Sequence, residues 1–227
     1  MQKRIRAVLA GLLLACGAVG PVAAGPFDDG VAAFDRKDYA TALRLWRPLA
    51  AQGDAFAQYF LGVMYEKGRG VPQDYAEAVK WFRLAASQGN DNAQSNLGVM
   101  YANGRGVPQD HAEAAKWYRL AAAQGSAWAQ FVLGVAYDAG RGVPQDYAEA
   151  AKWWRLAAAQ GHASAQYNLG GMYEQGHGVP QDYVTAHMWF NLAAAQSTPI
   201  SPHEAGWHSP VDRQLSAIEN EAHQLSV

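Results

Sequence analysis

A single cysteine, Cys16, stands among 227 residues, so no intramolecular disulfide can form and stability has to come from packing. Charge is sparse and nearly balanced: 18 Lys and Arg against 20 Asp and Glu leave a net of −2 at pH 7. With no clustered basic arm beside that balance, nucleic acid is not expected as a partner. No apolar run reaches the roughly 20 residues that span a bilayer, so no membrane span is expected. No serine is followed three residues later by lysine, the spacing used by penicillin-recognising enzymes. No glycine-rich stretch ends in Lys-Ser or Lys-Thr, so a phosphate loop is missing as well. No isolated acid pair lies in an apolar setting, and nothing in the chain asks for a cofactor. Catalysis would need a constellation assembled between distant segments.

What is present is repetition. The phrase GRGVPQD occurs at 68–74, 104–110 and 140–146, and a fourth copy at 176–182 differs only in His177. Each copy begins 36 residues after the last, a period typical of stacked repeat architectures. Half the residues are apolar and 11% are aromatic, enough to build a core rather than a disordered chain.

The first 24 residues read separately. Lys3, Arg4 and Arg6 precede the apolar run 7–19, and Val22-Ala23-Ala24 supplies small residues for cleavage, which together make a signal peptide cut after Ala24. The mature chain would then carry a net charge of −5 and no cysteine, and would be periplasmic or secreted. A second reading takes Leu13-Leu14-Ala15-Cys16 as a lipobox, with a lipid anchor at Cys16 and a membrane-anchored lipoprotein as the product.

Residues 25–53 form an abbreviated unit. Val31, Ala32 and Phe34 mark a short helical stretch, and Asp38, 36 residues before Asp74, opens a second helix through Leu43, but the glycine loop is missing, so half a repeat in register acting as an N-terminal cap is expected. Pro48 removes a helical hydrogen bond and should bend or end this helix near Arg47. Four full units follow at 54–89, 90–125, 126–161 and 162–197, each with a helix A, the glycine phrase and a helix B. Ala57, Gln58, Leu61, Gly62 and Tyr65 recur on one side of helix A, as a packing face with Gly62 permitting close approach. Helix B repeats a tryptophan (Trp81, Trp117, Trp153, Trp189) along a row of alanines, which suits knob-like insertion between neighbouring helices.

The glycine phrase has a local account. Gly68 suits a left-handed helix C-terminus, Pro72 prevents continuation, and Asp74 is an N-cap with Glu77 completing a capping box, as in Asp110/Glu113 and Asp146/Glu149. Asp54, Asn90 and Ser126 are N-caps of helix A. His162 and Thr185 depart from both rules in the fourth unit, which is expected to fray first. In residues 198–227 a linker (Thr198–Pro210) precedes a capping helix, with Val211, Leu215, Ile218, Ala222 and Leu225 at helical spacing.

These residues, A-x-x-x-L-G-x-x-Y-x-x-G-x-G-V followed by D, A, W and A-A, resemble the Sel1-like repeat family, relatives of tetratricopeptide repeats, over 54–197. The half-unit before it looks tetratricopeptide-like. The resemblance implies an all-α fold, an α/α solenoid superhelix of helix-turn-helix repeats, that serves as a non-enzymatic scaffold or adaptor for a protein or peptide partner. One cysteine-rich, secreted branch of the family is associated with β-lactam binding or hydrolysis. That branch staples each repeat with a disulfide, which this chain lacks.

Positions that vary between copies mark candidate contact surface. Related solenoids use the face lined by helix A, which places a partner-binding groove on Phe56, Tyr59, Trp128, Phe131 and Tyr167, with Asn92 and Ser95 as a polar strip between them. Aromatic residues are favoured at binding hot spots, although such rings can instead fill gaps between units. The ladder Lys80/Arg83, Lys116/Arg119 and Lys152/Arg155, each lysine three residues after a glutamate, reads as a solvated outer face. Six histidines follow the third unit, but His203-Glu204-Ala205-Gly206-Trp207-His208 misses the HExxH zinc spacing by one residue, so no metal site is expected.

Overall fold

The structure, a computed structural model, describes residues 25–196. The signal segment, Cys16, the Thr198–Pro210 linker and the 211–225 helix expected from sequence lie outside the described residues. Within them are ten helices and no strand: α1 (Pro26–Asp35), α2 (Tyr39–Ala51), α3 (Ala55–Lys67), α4 (Tyr75–Ser87), α5 (Asp91–Asn103), α6 (His111–Ala123), α7 (Ala127–Ala139), α8 (Tyr147–Ala159), α9 (Ala163–Gln175) and α10 (Tyr183–Gln196). The chain divides into two compact units at Gln124/Gly125. In the first, α1 to α6 pack consecutively, each helix on the next; in the second, α7 to α10 do the same.

Local chemistry explains where the helices start and stop. Asp54 Oδ1 and Asn90 Oδ1 accept from the third backbone N–H of their helices at 2.8 Å, and Ser126 Oγ does so at 3.3 Å. His162 performs the same task, against expectation, because its Nδ1 accepts from the Ala165 N–H at 3.3 Å. At the other end of helix A, Gly68, Gly104, Gly140 and Gly176 take φ of 64°, 66°, 65° and 72°, the left-handed region that glycine enters without steric cost. The next N–H then turns back to the helix, as Arg69 donates to the Met64 carbonyl at 2.9 Å.

Helix B begins as expected at the aspartate, yet the capping box is only half formed. Asp74 Oδ1 accepts from Glu77 N–H at 2.9 Å, but the Glu77 carboxylate pairs with Lys80 at 2.7 Å. The backbone N–H of Asp74 that the glutamate would have reached instead donates to the Tyr65 carbonyl at 3.0 Å, and Asp110, Asp146 and Asp182 repeat this at 2.9, 3.0 and 2.9 Å. In the fourth unit Thr185 donates both N–H and hydroxyl to Asp182, so its helix is capped without a glutamate.

Three expectations about packing are corrected. The ring that enters the helix A glycine is the residue after the recurring tryptophan: Phe82 covers Gly62, Tyr118 Gly98, Trp154 Gly134 and Phe190 Gly170, so closely that a methyl on the glycine would overlap the ring. Phe82, Tyr118 and Trp154 are buried, whereas Trp81, Trp117, Trp153 and Trp189 are half-buried, and Trp81, Trp117 and Trp189 pack at the edge of the cores. One step along a helix turns a side chain by about 100°, so the neighbouring position alone faces the socket.

The abbreviated unit is a complete two-helix unit with a shorter link. Trp46 fills Gly30 and donates to the Phe27 carbonyl, as Trp154 fills Gly134 and donates to the Phe131 carbonyl. Gly30 to Trp46 is 16 positions and Gly134 to Trp154 is 20, so four residues are missing from the connection. Lys37 takes the left-handed conformation there (φ 63°) that glycine takes elsewhere. The helix also runs through Pro48 to Ala51, and Gln52 N–H still reaches the Pro48 carbonyl at 3.1 Å. Arg44 and Pro48 are both exposed, so water can serve the carbonyl that the proline leaves without an N–H.

Candidate functional site

The phrase GRGVPQD acts as a joint, and its glutamine, to which sequence assigned nothing, closes it. Gln73, Gln109, Gln145 and Gln181 each donate to the carbonyl near the end of the preceding helix A (Glu66, Ala102, Asp138, Glu174) at 2.7 to 2.8 Å. Gly106 lies on the Tyr75 backbone and Gly178 on the Tyr147 backbone, closer than a side chain would permit. Loop and preceding unit are therefore locked together, leaving no backbone cradle for a ligand.

A second glutamine series runs through the cores. Gln58, Gln94 and Gln166 are buried, and each donates to a carbonyl in the last turn of the preceding helix B (Ala50, Ala86, Ala158) at 3.0 to 3.2 Å. Gln88, Gln124 and Gln160 in turn donate to Gln58, Gln94 and Gln130 at 2.7 to 2.8 Å. The buried amides are tolerated because each Nε2 is paired, and the pairing fixes the register between helices.

The charged ladder is a solvated surface. Lys80, Lys116 and Lys152 pair with Glu77, Glu113 and Glu149 at 2.7, 2.7 and 3.0 Å, and the hydrogen bond that each donates to its glutamate raises the pKa of Lys80 and of Lys116. Arg83 and Arg155 reach the hydroxyls of Tyr101 and Tyr173 in the following unit at 2.6 and 3.1 Å and lie over their rings. Those arginines have structural partners that the spacing of the ladder did not reveal.

The histidines within the described residues do not converge. His162 is stacked on Phe131 at 4.5 Å, and burial lowers its pKa, which suits the neutral ring that caps α9. His177 stacks on Tyr147 at 5.1 Å and His187 meets Asn191 at 3.0 Å. Among the described residues no three His, Cys, Asp or Glu side chains are grouped to hold a metal, and no helix is long and apolar enough to cross a membrane.

Each residue of the expected groove has a definite place. In the first unit Phe56 is 60% exposed, edge-on to Phe27 at 6.0 Å. Tyr59 is half-buried against Phe60 and Phe82, and burial raises the pKa of its hydroxyl. Asn92 is exposed, while Ser95 is buried with 8% exposure, deep in α5. In the second unit Trp128 is 37% exposed; Phe131 lies under His162, and Tyr167 leans on Phe190 at 5.3 Å. The open positions are thus Phe56, Asn92 and Trp128, which occupy one register position in successive repeats.

Phe56 also borders an open hollow of about 230 Å³, lined by Ala55, Phe56, Gln88, Gly89, Asn90 and Asp91. Asn90 is engaged in capping and Gln88 in its bond to Gln58. The free chemistry at the rim is one aromatic ring beside the Asp91 carboxylate, suited to an apolar side chain with a neighbouring donor. No nucleophile with an adjacent base lines it.

The match to known sequences follows the same boundaries. A model of the Sel1 repeat covers residues 30–54, 55–90, 91–126, 129–162 and 163–197. The chain belongs to the Sel1 repeat family. The first match takes in the unit with the shortened link, so the Sel1 chain has five repeats within 30–197, built as an all-α, helix-on-helix solenoid. Among solved structures, a protective antigen present in uropathogenic Escherichia coli strains, displaying an SLR fold, is 40% identical over 75% of this chain at a TM-score of 0.73. A Sel1 repeat protein from Oxalobacter formigenes is 36% identical over 74% of the chain, and 70% of its own length, at 0.72. The chain spans 38% of the length of the E. coli antigen. No curated protein matches the chain.

Proposed function

We propose that this Sel1 repeat protein is a non-catalytic adaptor of the bacterial envelope that captures a protein or peptide segment through the helix A position held by Phe56. The observation that carries the reading is the 60% exposure of Phe56 beside the hollow at Gln88–Asp91. A phenylalanine left open among rings that are mostly half-buried or buried is the kind of anchor that partner binding uses. Sel1 repeats are generally protein-protein interaction scaffolds, which supports the class of partner. Export is supported by the basic, apolar and small-residue stretches of residues 1–24.

Tyr59, Phe131 and Tyr167 serve this surface indirectly. Their rings rest on core residues, so they set the floor on which the exposed position stands. Asn92, exposed at the same position in the repeat after Phe56, supplies donors and an acceptor for a peptide backbone.

The test is capture from an envelope extract with purified full chain and single variants. Phe56→Ala should retain the helical circular-dichroism signal yet lose at least tenfold of the protein that the wild type retains. Lys80→Ala and Lys152→Ala should retain it. Loss on the lysine substitutions with full retention by Phe56→Ala would assign recognition to the charged face and overturn the proposal.

A further inference from the structure

Arginine on an aromatic ring is a recurrent contact between successive helix pairs of this chain. Arg69 lies over Phe34 and Tyr39 at 5.3 and 5.9 Å, Arg83 over Tyr101 at 5.8 Å and Arg105 over Tyr75 at 5.8 Å, each drawn there by the negative face of the ring. Phe56 is the contrasting case. It is 60% exposed, and among the described residues no Lys or Arg of the chain lies over it. Asp91 lines the same hollow, and among the described residues no Lys or Arg pairs with its carboxylate.

That carboxylate is particular to this place, since Ala55, Ala127 and Ala163 hold its position in the other full repeats. The other polar side chains of the lining are engaged, Asn90 with the Ala93 N–H and Gln88 with Gln58. α4 ends and α5 begins at the hollow, so their end charges oppose one another and Asp91 decides its sign. The negative charge reaches α3 as well, where burial first, then Glu66 and Asp91, raise the pKa of Tyr59. The neighbouring helix ends have the same sign. Phe27, edge-on to Phe56, precedes Asp28 and Asp29 in the first turn of α1, Asp54 caps α3, and the last turns of α2 and α4 contain no basic residue. A purely apolar side chain seated here would strip water from Asp91 and return no hydrogen bond. An arginine offers its methylene stem and planar face to Phe56 and its N–H donors to the carboxylate, and bonds between ionised groups are the stronger kind. A lysine brings the charge without the planar face.

We propose that the hollow between Phe56 and Asp91 receives an arginine side chain of the partner, with the guanidinium face on the ring and its edge on the carboxylate. This rests on the adaptor reading of the same surface. Nuclear magnetic resonance of the isotope-labelled full chain, titrated with acetyl-Gly-Arg-Gly-amide, tests it. The backbone amide signals of residues 88–91 should shift saturably with the arginine peptide, about fivefold more weakly with its lysine counterpart, and not with the citrulline counterpart, which is neutral. Asp91→Asn should weaken the arginine peptide about tenfold and Phe56→Ala about fivefold, each with its helical circular-dichroism signal retained. Glu113→Gln, which removes an acid elsewhere in the same compact unit, should leave binding unchanged. No saturable shift with the arginine peptide, or an equal response to citrulline, overturns the proposal. So does a stronger response to acetyl-Gly-Leu-Gly-amide, which would make the hollow an apolar socket. Capture from the envelope extract separates this proposal from the adaptor reading. Capture lost in Phe56→Ala but unchanged in Asp91→Asn removes the arginine and leaves the adaptor standing. An arginine peptide that binds as expected while Phe56→Ala retains full capture removes the adaptor surface and leaves the arginine site.

Discussion

At the scale of single residues, two glycines in helix interiors carry opposite meanings. Gly98 lies under the Tyr118 ring with no room for a methyl, so Gly98→Ala should cost about 1–3 kcal/mol through overpacking. Gly171, in α9, meets only Gln175 Nε2 at 4.0 Å. Gly171→Ala should stabilise by about 0.5–1 kcal/mol, because glycine in a helix is unfavourable where no contact requires it. Urea unfolding midpoints of the two variants check the contrast. His162 makes a different prediction. Its cap needs a neutral Nδ1, and burial holds its folded pKa below the ordinary 6.5. The stabilisation is therefore present above about pH 6.5 and is lost as pH falls through the lowered folded value. His162→Asn keeps a cap that does not titrate. Between pH 7.5 and 5 its unfolding midpoint should decline less than that of the wild type.

At the scale of elements, the helices are joined by side-chain amides as much as by apolar contact. Gln94 donates to the Ala86 carbonyl and accepts from Gln124. Gln94→Leu keeps the volume and removes both bonds; the Ala86 carbonyl retains the Gly89 N–H at 3.0 Å, so a loss of about 1 kcal/mol is expected in the same unfolding assay. The helices and their ends were legible in the sequence: Asp54, Asn90 and Ser126 as starts, Gly68 and its copies as stops, Asp74 and its copies as restarts. These are local matters, decided within four residues of each position. The socket ring was not legible, because Trp81 and Phe82 are both large and apolar and only the angle at which α4 lies on α3 selects Phe82. Gln73 was equally silent, since its acceptor, the Glu66 carbonyl, is a backbone atom that no side-chain pattern marks.

At the scale of the whole molecule, the adaptor reading predicts no turnover. The full chain, incubated with a chromogenic β-lactam, should release no colour above a buffer blank over hours, and steady turnover would remove the non-catalytic reading. Of the candidate surface, Phe56, Asn92 and Trp128 are open positions that variation between copies had marked. Ser95 had been marked by the same variation, yet it is buried. Variation between repeats records that a position is free of the shared packing rule. It does not record whether solvent or a neighbouring helix takes up the freedom.

The seven residues GRGVPQD, with the caps around them, determined the alternation of helix A and helix B through the four full units, α3 to α10, without help from the rest of the chain. Backbone conformation at a glycine, a proline or a capping aspartate depends on forces that act over one turn. Tertiary structure alone decided which ring enters each glycine socket, which amides bridge the helices and which aromatic side chains, Phe56 among them, stay open. Those outcomes depend on the angle and distance between helices, and a repeat period does not contain either.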